Sequence, residues 1–381
     1  MALATWATAG SARTADQRLR VAIVIPKSGP FEIHNRLLAN GAAIAADEID
    51  AGGAVKGQNP VRLKLKVVRV GPTAAPGRIV RTLARGSIRV VVLPCNIELQ
   101  ESLARAVAKA GLLTLSPCNP DPQGTQTVSR SWQVGATGQA EAGQLVYLAH
   151  SRLRAKTAFL LGTAGSWYSR QMTGELRQFA KRDKIRIVGA ASVSSGAHGV
   201  TGLAQRIRKS NPAVVFATVP SPQIESIVTQ LRKKGVVSAF FATDGMDAAI
   251  NFFQYRNGPD NSSLEQVVFA TFGFPRTTSS SGTFYRDYAA AYGRRPVGSF
   301  PGLGYETVRV LESAARRAAS LTPAGLNASF ARGFTLKGVV LEDTTYLGHS
   351  HRQPVTSVGI AEIIRDRYVS LFTSVAGHPT G

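Results

Sequence analysis

The chain has 381 residues, 44% of them hydrophobic and 18% charged, a composition that suits a globular protein with room for two cores and excludes a disordered one. No run approaches the roughly 18 consecutive apolar residues of a membrane span. Its 45 Lys and Arg against 23 Asp and Glu give a formal net charge of +22, a field that attracts anions. The cations are scattered over helix faces (Arg81, Arg85, Arg206, Arg208, Lys209, Arg232, Lys233, Arg316 and others). They form neither a block of five or six like charges nor an aromatic-basic ribbon, so a solvated surface is favoured over a specific nucleic-acid site.

Residues 1–19 are rich in small side chains, and Ala12-Arg13-Thr14-Ala15 suits the end of an export signal. A basic start and a solid apolar stretch are missing, so this segment reads as a leader remnant or a disordered tail. Val21 to Ile25 is an apolar, β-branched run that turns at Ser28-Gly29-Pro30 into an alanine-rich helix ending at Ala51-Gly52-Gly53. A strand, a polar turn and a helix form the opening unit of a parallel α/β sheet, where ligands gather at the carboxyl ends of strands.

The alternation continues. Strands are expected at Leu63 to Val70, Arg89 to Leu93 and Leu112 to Leu115, with helices at Gly77 to Gly86 and Glu98 to Ala110 between them. After a break near Gln133 to Gly138 the rhythm resumes. Strands at Thr157 to Leu161, Ile185 to Ser192, Ala213 to Thr218, Ser238 to Ala242 and Gln266 to Thr271 alternate with helices at Trp167 to Arg182, Gly202 to Ser210 and Pro222 to Gly235. Helical patterning returns at Phe284 to Tyr292 and Tyr305 to Ala319 after a second break near Ala270 to Gly273.

Cys95 and Cys118 are 23 positions apart, each just after a strand-like run. In a secreted protein they would form one disulfide; in a cytosolic one they would be two thiols, and spacing alone leaves both open. There is no G-x-S-x-G, P-loop or H-E-x-x-H, and the six histidines are scattered, so neither enzyme chemistry, a cofactor nor a metal is expected.

The order of motifs goes further. Ser28-Gly29-Pro30, then Asn40-Gly41, then Asp47-Glu48-Ile49-Asp50-Ala51-Gly52-Gly53 with Val55 and Gly57 resembles the opening of the leucine/isoleucine/valine-binding proteins, the type I solute receptors of bacterial ABC importers. Gly302-Leu303-Gly304-Tyr305 before a helix, Gly338-Val339-Val340, and Arg352-Gln353-Pro354-Val355 before a closing strand resemble later segments of the same family, so the likeness runs from about Arg20 to Phe372. It implies two doubly wound parallel-sheet lobes joined by a hinge. The first would comprise 20–138 plus 273–345, and the second 139–272 plus 346–381. It also implies a periplasmic receptor that hands a small solute, nominally a branched-chain or related amino acid, to an ABC permease. Any membrane contact would then run through that permease.

The resemblance also assigns site residues. Ser28 lies in the first turn, and His34 matches a wide aromatic position at the cleft rim. Asn96 stands where the family has a serine that donates to the ligand carboxylate. Cys118 and Asn119 keep the backbone N–H groups of a second carboxylate loop. Trp167, or its neighbour Tyr168, matches an aromatic platform, and Asp244 matches the acid that meets the ammonium. Three departures weigh against plain amino-acid recognition: Asn96 replaces a serine, Pro120 replaces a threonine and cannot donate, and Val219-Pro220 replaces a tyrosine. A receptor retuned to an aromatic acid, amide or lipid, or a cytosolic ligand sensor of the same fold, are the alternatives.

Overall fold

A computed structural model describes residues 18–52, 61–71, 73–121, 123–194, 199–247, 261–273, 279–341, 343–346, 352–364 and 367–376. Most of the leader expectation therefore lies outside the described residues. The first half of the chain runs β1 (Arg18–Pro26), α1 (Glu32–Gly52), β2 (Arg62–Val70), α2 (Pro76–Arg85), β3 (Val90–Val92), α3 (Leu99–Lys109), β4 (Leu113–Ser116), a short α4 (Gln123–Gln126) and β5 (Ser131–Gln133). These strands form one parallel sheet in the order β2-β1-β3-β4-β5. A central parallel strand is covered on both faces and so reads as an unbroken apolar run. Accordingly β1 is buried from Val21 through Pro26, and all three valines of β3 are buried.

The chain crosses to a second sheet through α5 (Gly138–Ser151), whose start is fixed by the Thr137 side chain accepting from Ala140 N–H. There follow β6 (Thr157–Thr163), α6 (Trp167–Arg182), β7 (Arg186–Val193), α7 (Val200–Ser210), β8 (Val214–Ala217), α8 (Gln223–Lys233), β9 (Ala239–Ala242) and β10 (Val268–Thr271). Then α9 (Ser279–Tyr292), α10 (Phe300–Arg317) and α11 (Pro323–Ala331) precede the small pair β11 (Phe334–Leu336) and β12 (Thr344–Tyr346). The chain closes with β13 (Thr356–Ile364) and β14 (Arg367–Ala376). The second sheet has the order β14-β13-β10-β9-β8-β6-β7, in which β13 alone runs antiparallel to its neighbours β10 and β14.

Although α9 to α11 follow β10 of the second sheet, they return to the first. The long helix α10 lies along α1 at a separation that only glycine allows. A Cβ on Gly41 would sit 1.8 Å from the Pro301 carbonyl oxygen, and one on Gly304 would sit 1.9 Å from the Leu38 carbonyl oxygen. The Asn40-Gly41 and Gly302-Leu303-Gly304-Tyr305 signatures thus meet as two faces of one helix crossing. Tyr346 on β12 donates to the Gln133 carbonyl at 2.7 Å, and Gln133 N–H donates to Arg352 O at 2.9 Å. Tyr346 and Arg352 therefore both lie beside β5, a few residues ahead of β13 in the second sheet. The architecture is two α/β lobes built on parallel sheets, as the alternation of elements predicts. Among the described residues no helix is long and apolar enough to cross a membrane.

Candidate functional site

Carboxyl-terminal loops of both sheets face each other across a cleft. From the first lobe come the turn after β1 and the loop after β3. From the second come the turn after β6 and the short 3-10 turn Asp244–Met246 after β9. A cavity of about 370 Å³ opens between them, walled by 28–31, 96–99 and 163–167, with Pro26 and Gly71. Ser28, Asn96 and Trp167 are in that wall.

The first-lobe side is held from behind. Asn35, buried on α1, donates from Nδ2 to the Phe31 and Cys95 carbonyls at 2.8 and 3.1 Å, and its Oδ1 accepts from Cys95 N–H at 2.7 Å. Cys95 is bonded to Cys118, with Cα atoms 5.3 Å apart. Gln100 Nε2 donates to both Ser116 Oγ and the Cys118 carbonyl at 2.7 Å. These contacts fix the backbone around Asn96, which has φ of 58°, a left-handed conformation that asparagine tolerates better than most residues. Asn119 Oδ1 accepts from Asp121 N–H at 3.1 Å, a local turn bond. Neither Cys118 nor Asn119 lines the cavity.

Behind the cavity lies a second, dry layer. Asp244 is 2% exposed. The Tyr168 hydroxyl donates to its Oδ1, and Asn96 Nδ2 reaches across the cleft to donate to its Oδ2 at 2.8 Å. Thr243 Oγ1 lies 2.7 Å from the same Tyr168 hydroxyl. Asp244 N–H donates to Glu141 Oε2 at 3.2 Å. His34 also bridges the lobes, donating from Nε2 to the Gly245 carbonyl at 2.9 Å. Phe31 packs edge-on against Tyr168 with ring centroids 4.8 Å apart, and His34 meets Phe300 at the same separation.

His34 was expected at the cleft rim, yet it is completely buried. The reason is its place on the inner side of α1, one turn past Phe31, where the second lobe and Phe300 close over it. Of the two aromatic candidates, Trp167 lines the cavity while Tyr168 points inward to Asp244. The sequence reading missed Asn35, Gln100, Glu141 and Asp247. The last accepts from Thr271 Oγ1 at 2.9 Å, from Ser299 N–H at 3.0 Å and from the Ser299 hydroxyl.

The electrostatics of this layer are set by burial. Loss of solvent drives the carboxyls of Glu141 and Asp244 above the ordinary range; the Asp244 charge pushes Glu141 further, while hydrogen bonds led by those from Tyr168 and Asn96 partly relieve Asp244. Asp247 is raised to about 7 by burial, which outweighs its three donors. Burial lowers His34 to about 4, so the imidazole is neutral at pH 7 and its Nδ1 has no partner. Among the described residues no Lys or Arg forms an ion pair with these three acids, and no group of three or more His, Cys, Asp or Glu is arranged to hold a metal.

The two strand-end surfaces enclose a cavity and so form a cleft between the sheets. A family model described as a periplasmic binding protein matches residues 18–367. No curated protein sequence matches the chain. Among solved structures, the leucine-binding protein LivK of Thermotoga maritima is 18% identical, with a TM-score of 0.79 over 93% of this chain and 98% of that one. LivJ of Streptococcus pneumoniae, a branched-chain amino acid transporter substrate binding protein in complex with isoleucine, is 17% identical, with a TM-score of 0.78 over 94% and 99%. A solute binding protein of an R. palustris ABC transporter, in complex with benzoate, is 13% identical, with a TM-score of 0.78 over 95% and 98%. Identities this low carry the fold alone, but the family model spans most of the sequence: the chain belongs to the periplasmic binding protein family.

Proposed function

We propose that this chain is an extracytoplasmic solute receptor that closes its two lobes on a small molecule and delivers it to an ABC permease, with no covalent chemistry. The observation that carries the reading is the cavity of about 370 Å³ between the strand ends of the two sheets. A volume of this size accommodates an amino acid or a small aromatic acid. Trp167 supplies an aromatic wall, Ser28 and Asn96 supply polar groups, and Phe31 and Ile97 supply apolar surface. His34, Tyr168 and Asp244 form the inner wall on which the lobes meet, while Cys118 and Asn119 brace the first-lobe loop. A disulfide between Cys95 and Cys118 supports an oxidising compartment over the cytosol, and with it the receptor over the cytosolic sensor.

Branched-chain amino acids and aromatic acids are the two solute classes to weigh, since LivJ binds isoleucine and the R. palustris protein binds benzoate. The second is favoured by Asp244: its carboxylate is enclosed by Tyr168 and Asn96 and presents no open face to an ammonium. A thermal-shift screen of the whole chain against both classes tests the reading. Binding to the folded state alone raises the melting temperature in proportion to RT ln(1 + [L]/Kd). A shift with one class that is lost in Trp167→Ala is the expected result. Failure of every solute to shift the wild type would count against a receptor.

A further inference from the structure

Asn96 stands between the cavity and Asp244: it lines the cavity, Asp244 does not, and its carboxamide closes the distance between the lobes with a 2.8 Å bond to Oδ2. A census of polar groups around the cleft is lopsided. The acceptors around Asp244 already have protein donors, and the one left open, His34 Nδ1, is buried on α1 outside the cavity wall. Asp244 Oδ1 takes Tyr168, Oδ2 takes Asn96, Glu141 Oε2 takes the Asp244 N–H, and the Gly245 carbonyl takes His34. Only Glu98, exposed at the rim, offers a carboxylate in the cavity wall.

Donors show the opposite state. The second-lobe wall is the turn into α6, a helix of 16 residues. Its cap, Ser166, accepts from Ser169 N–H, which leaves the N–H groups of Trp167 and Tyr168 without a helical acceptor. Thr163, also in that wall, is 7% exposed, and its Oγ1 has no partner among the described residues. Unpaired donors at a helix start attract negative charge, and a formal net charge of +22 raises the local concentration of anions.

We infer that Asn96 is a specificity-determining residue: by holding Asp244 with its own carboxamide it withholds that acid from a solute amine, so the cleft selects carboxylates that carry no charged amine. This rests on the receptor reading above and narrows it. An ammonium entering the cleft would have to displace the Asn96 amide and strand a buried donor. A carboxylate meets the start of α6 with nothing to displace.

The test uses pairs of probes that differ by one amine: leucine against 4-methylpentanoate and phenylalanine against 3-phenylpropanoate, with benzoate as a fifth probe, titrated calorimetrically into the whole chain. The wild type is expected to bind the better desamino acid at least tenfold tighter than its amino-acid partner. Asn96→Gly, a residue at ease with φ of 58°, is expected to narrow or reverse that ratio by opening Asp244, and Asp244→Asn added to it is expected to remove the gain. Preference of the wild type for the amino acid of either pair would overturn the inference while leaving a receptor in place. So would an unchanged ratio in a folded Asn96→Gly. If Asn96→Gly fails to fold, the wild-type ratio decides alone. Absence of binding by all five probes would instead overturn the receptor reading for small carboxylates, and this inference with it.

Discussion

The two layers of the cleft are a few ångströms apart and have opposite polar chemistry. In the inner layer Asp244 accepts from Tyr168 and Asn96 and donates its N–H to Glu141, His34 donates to the Gly245 carbonyl, and two of these bonds, from Asn96 and His34, join lobe to lobe. In the outer layer Ser28, Thr163, Trp167 and the start of α6 surround open space. On the proposed receptor reading the difference separates two jobs: closing, which wants mutual satisfaction between the lobes, and recognition, which wants groups left for a guest. The acid assigned to recognition by resemblance sits in the closing layer.

The sharpest way to break this comparison is to remove the centre of the inner layer. Asp244→Ala leaves the Tyr168 hydroxyl, the Asn96 amide and a cavity behind. Stranded buried donors cost about 1–3 kcal/mol each, so a stability loss of about 3 kcal/mol or more is expected in urea unfolding. If Asp244 were a recognition group held ready for solute, the variant would keep its unfolding midpoint and lose only affinity. Next in size is the brace behind Asn96. Replacing Cys95 and Cys118 with alanine frees a loop of 23 residues and should lower stability by about 3 kcal/mol, read in the same experiment with and without reductant.

Trp167→Ala belongs to the outer layer and should act the other way round. Loss of an aromatic wall costs about 1–3 kcal/mol of solute binding, roughly tenfold to a hundredfold in Kd, with a smaller loss of about 1 kcal/mol in unfolding, since the half-buried ring also packs on Phe31, Tyr168 and Met172. Equal losses in both measurements would merge the two layers into one.

How much of this was legible in the sequence follows the same division. Elements with their own apolar pattern were readable: α6 falls on the expected Trp167 to Arg182, and β1 and β2 extend their predicted runs by a residue or a few. β5, the three residues Ser131–Gln133, was not, because a short strand with a serine and a glutamine in it has no apolar run; it is recognised only by its pairing with β4. α11 was missed although Thr322-Pro323 supplies a cap and a first-turn proline. In the cleft, the turn residues Ser28, Asn96 and Trp167, singled out by motif order, line the cavity. Glu141 and Asp247 were not. A buried acid is defined by what surrounds it in space, here the Asp244 backbone, Thr271 and Ser299, and those partners lie 24 to 103 positions away. His34 was found but put in the wrong layer, since sequence shows that a side chain is at a loop end and not what closes over it.

Smallest per pH unit is the effect on the pH dependence of stability, and it separates two members of the inner layer by sign. Asp247 titrates at about 7 when folded against 3.8 as its ordinary value, so between those limits the folded chain holds a proton that the unfolded chain has lost. Its contribution is complete at about pH 4 and declines as pH rises through 7. His34 runs opposite. It titrates at about 4 when folded against an ordinary 6.5, so below 6.5 the unfolded chain gains a proton that the folded one refuses, and stability declines as pH falls towards 4. Each slope is at most one proton, about 1.4 kcal/mol per pH unit. Urea midpoints measured from pH 4 to 8 should therefore fall less steeply with rising pH in Asp247→Asn and more steeply in His34→Gln than in the wild type. Parallel profiles for all three chains would mean that water reaches this layer, and that the inner wall of the cleft is as open as the outer one.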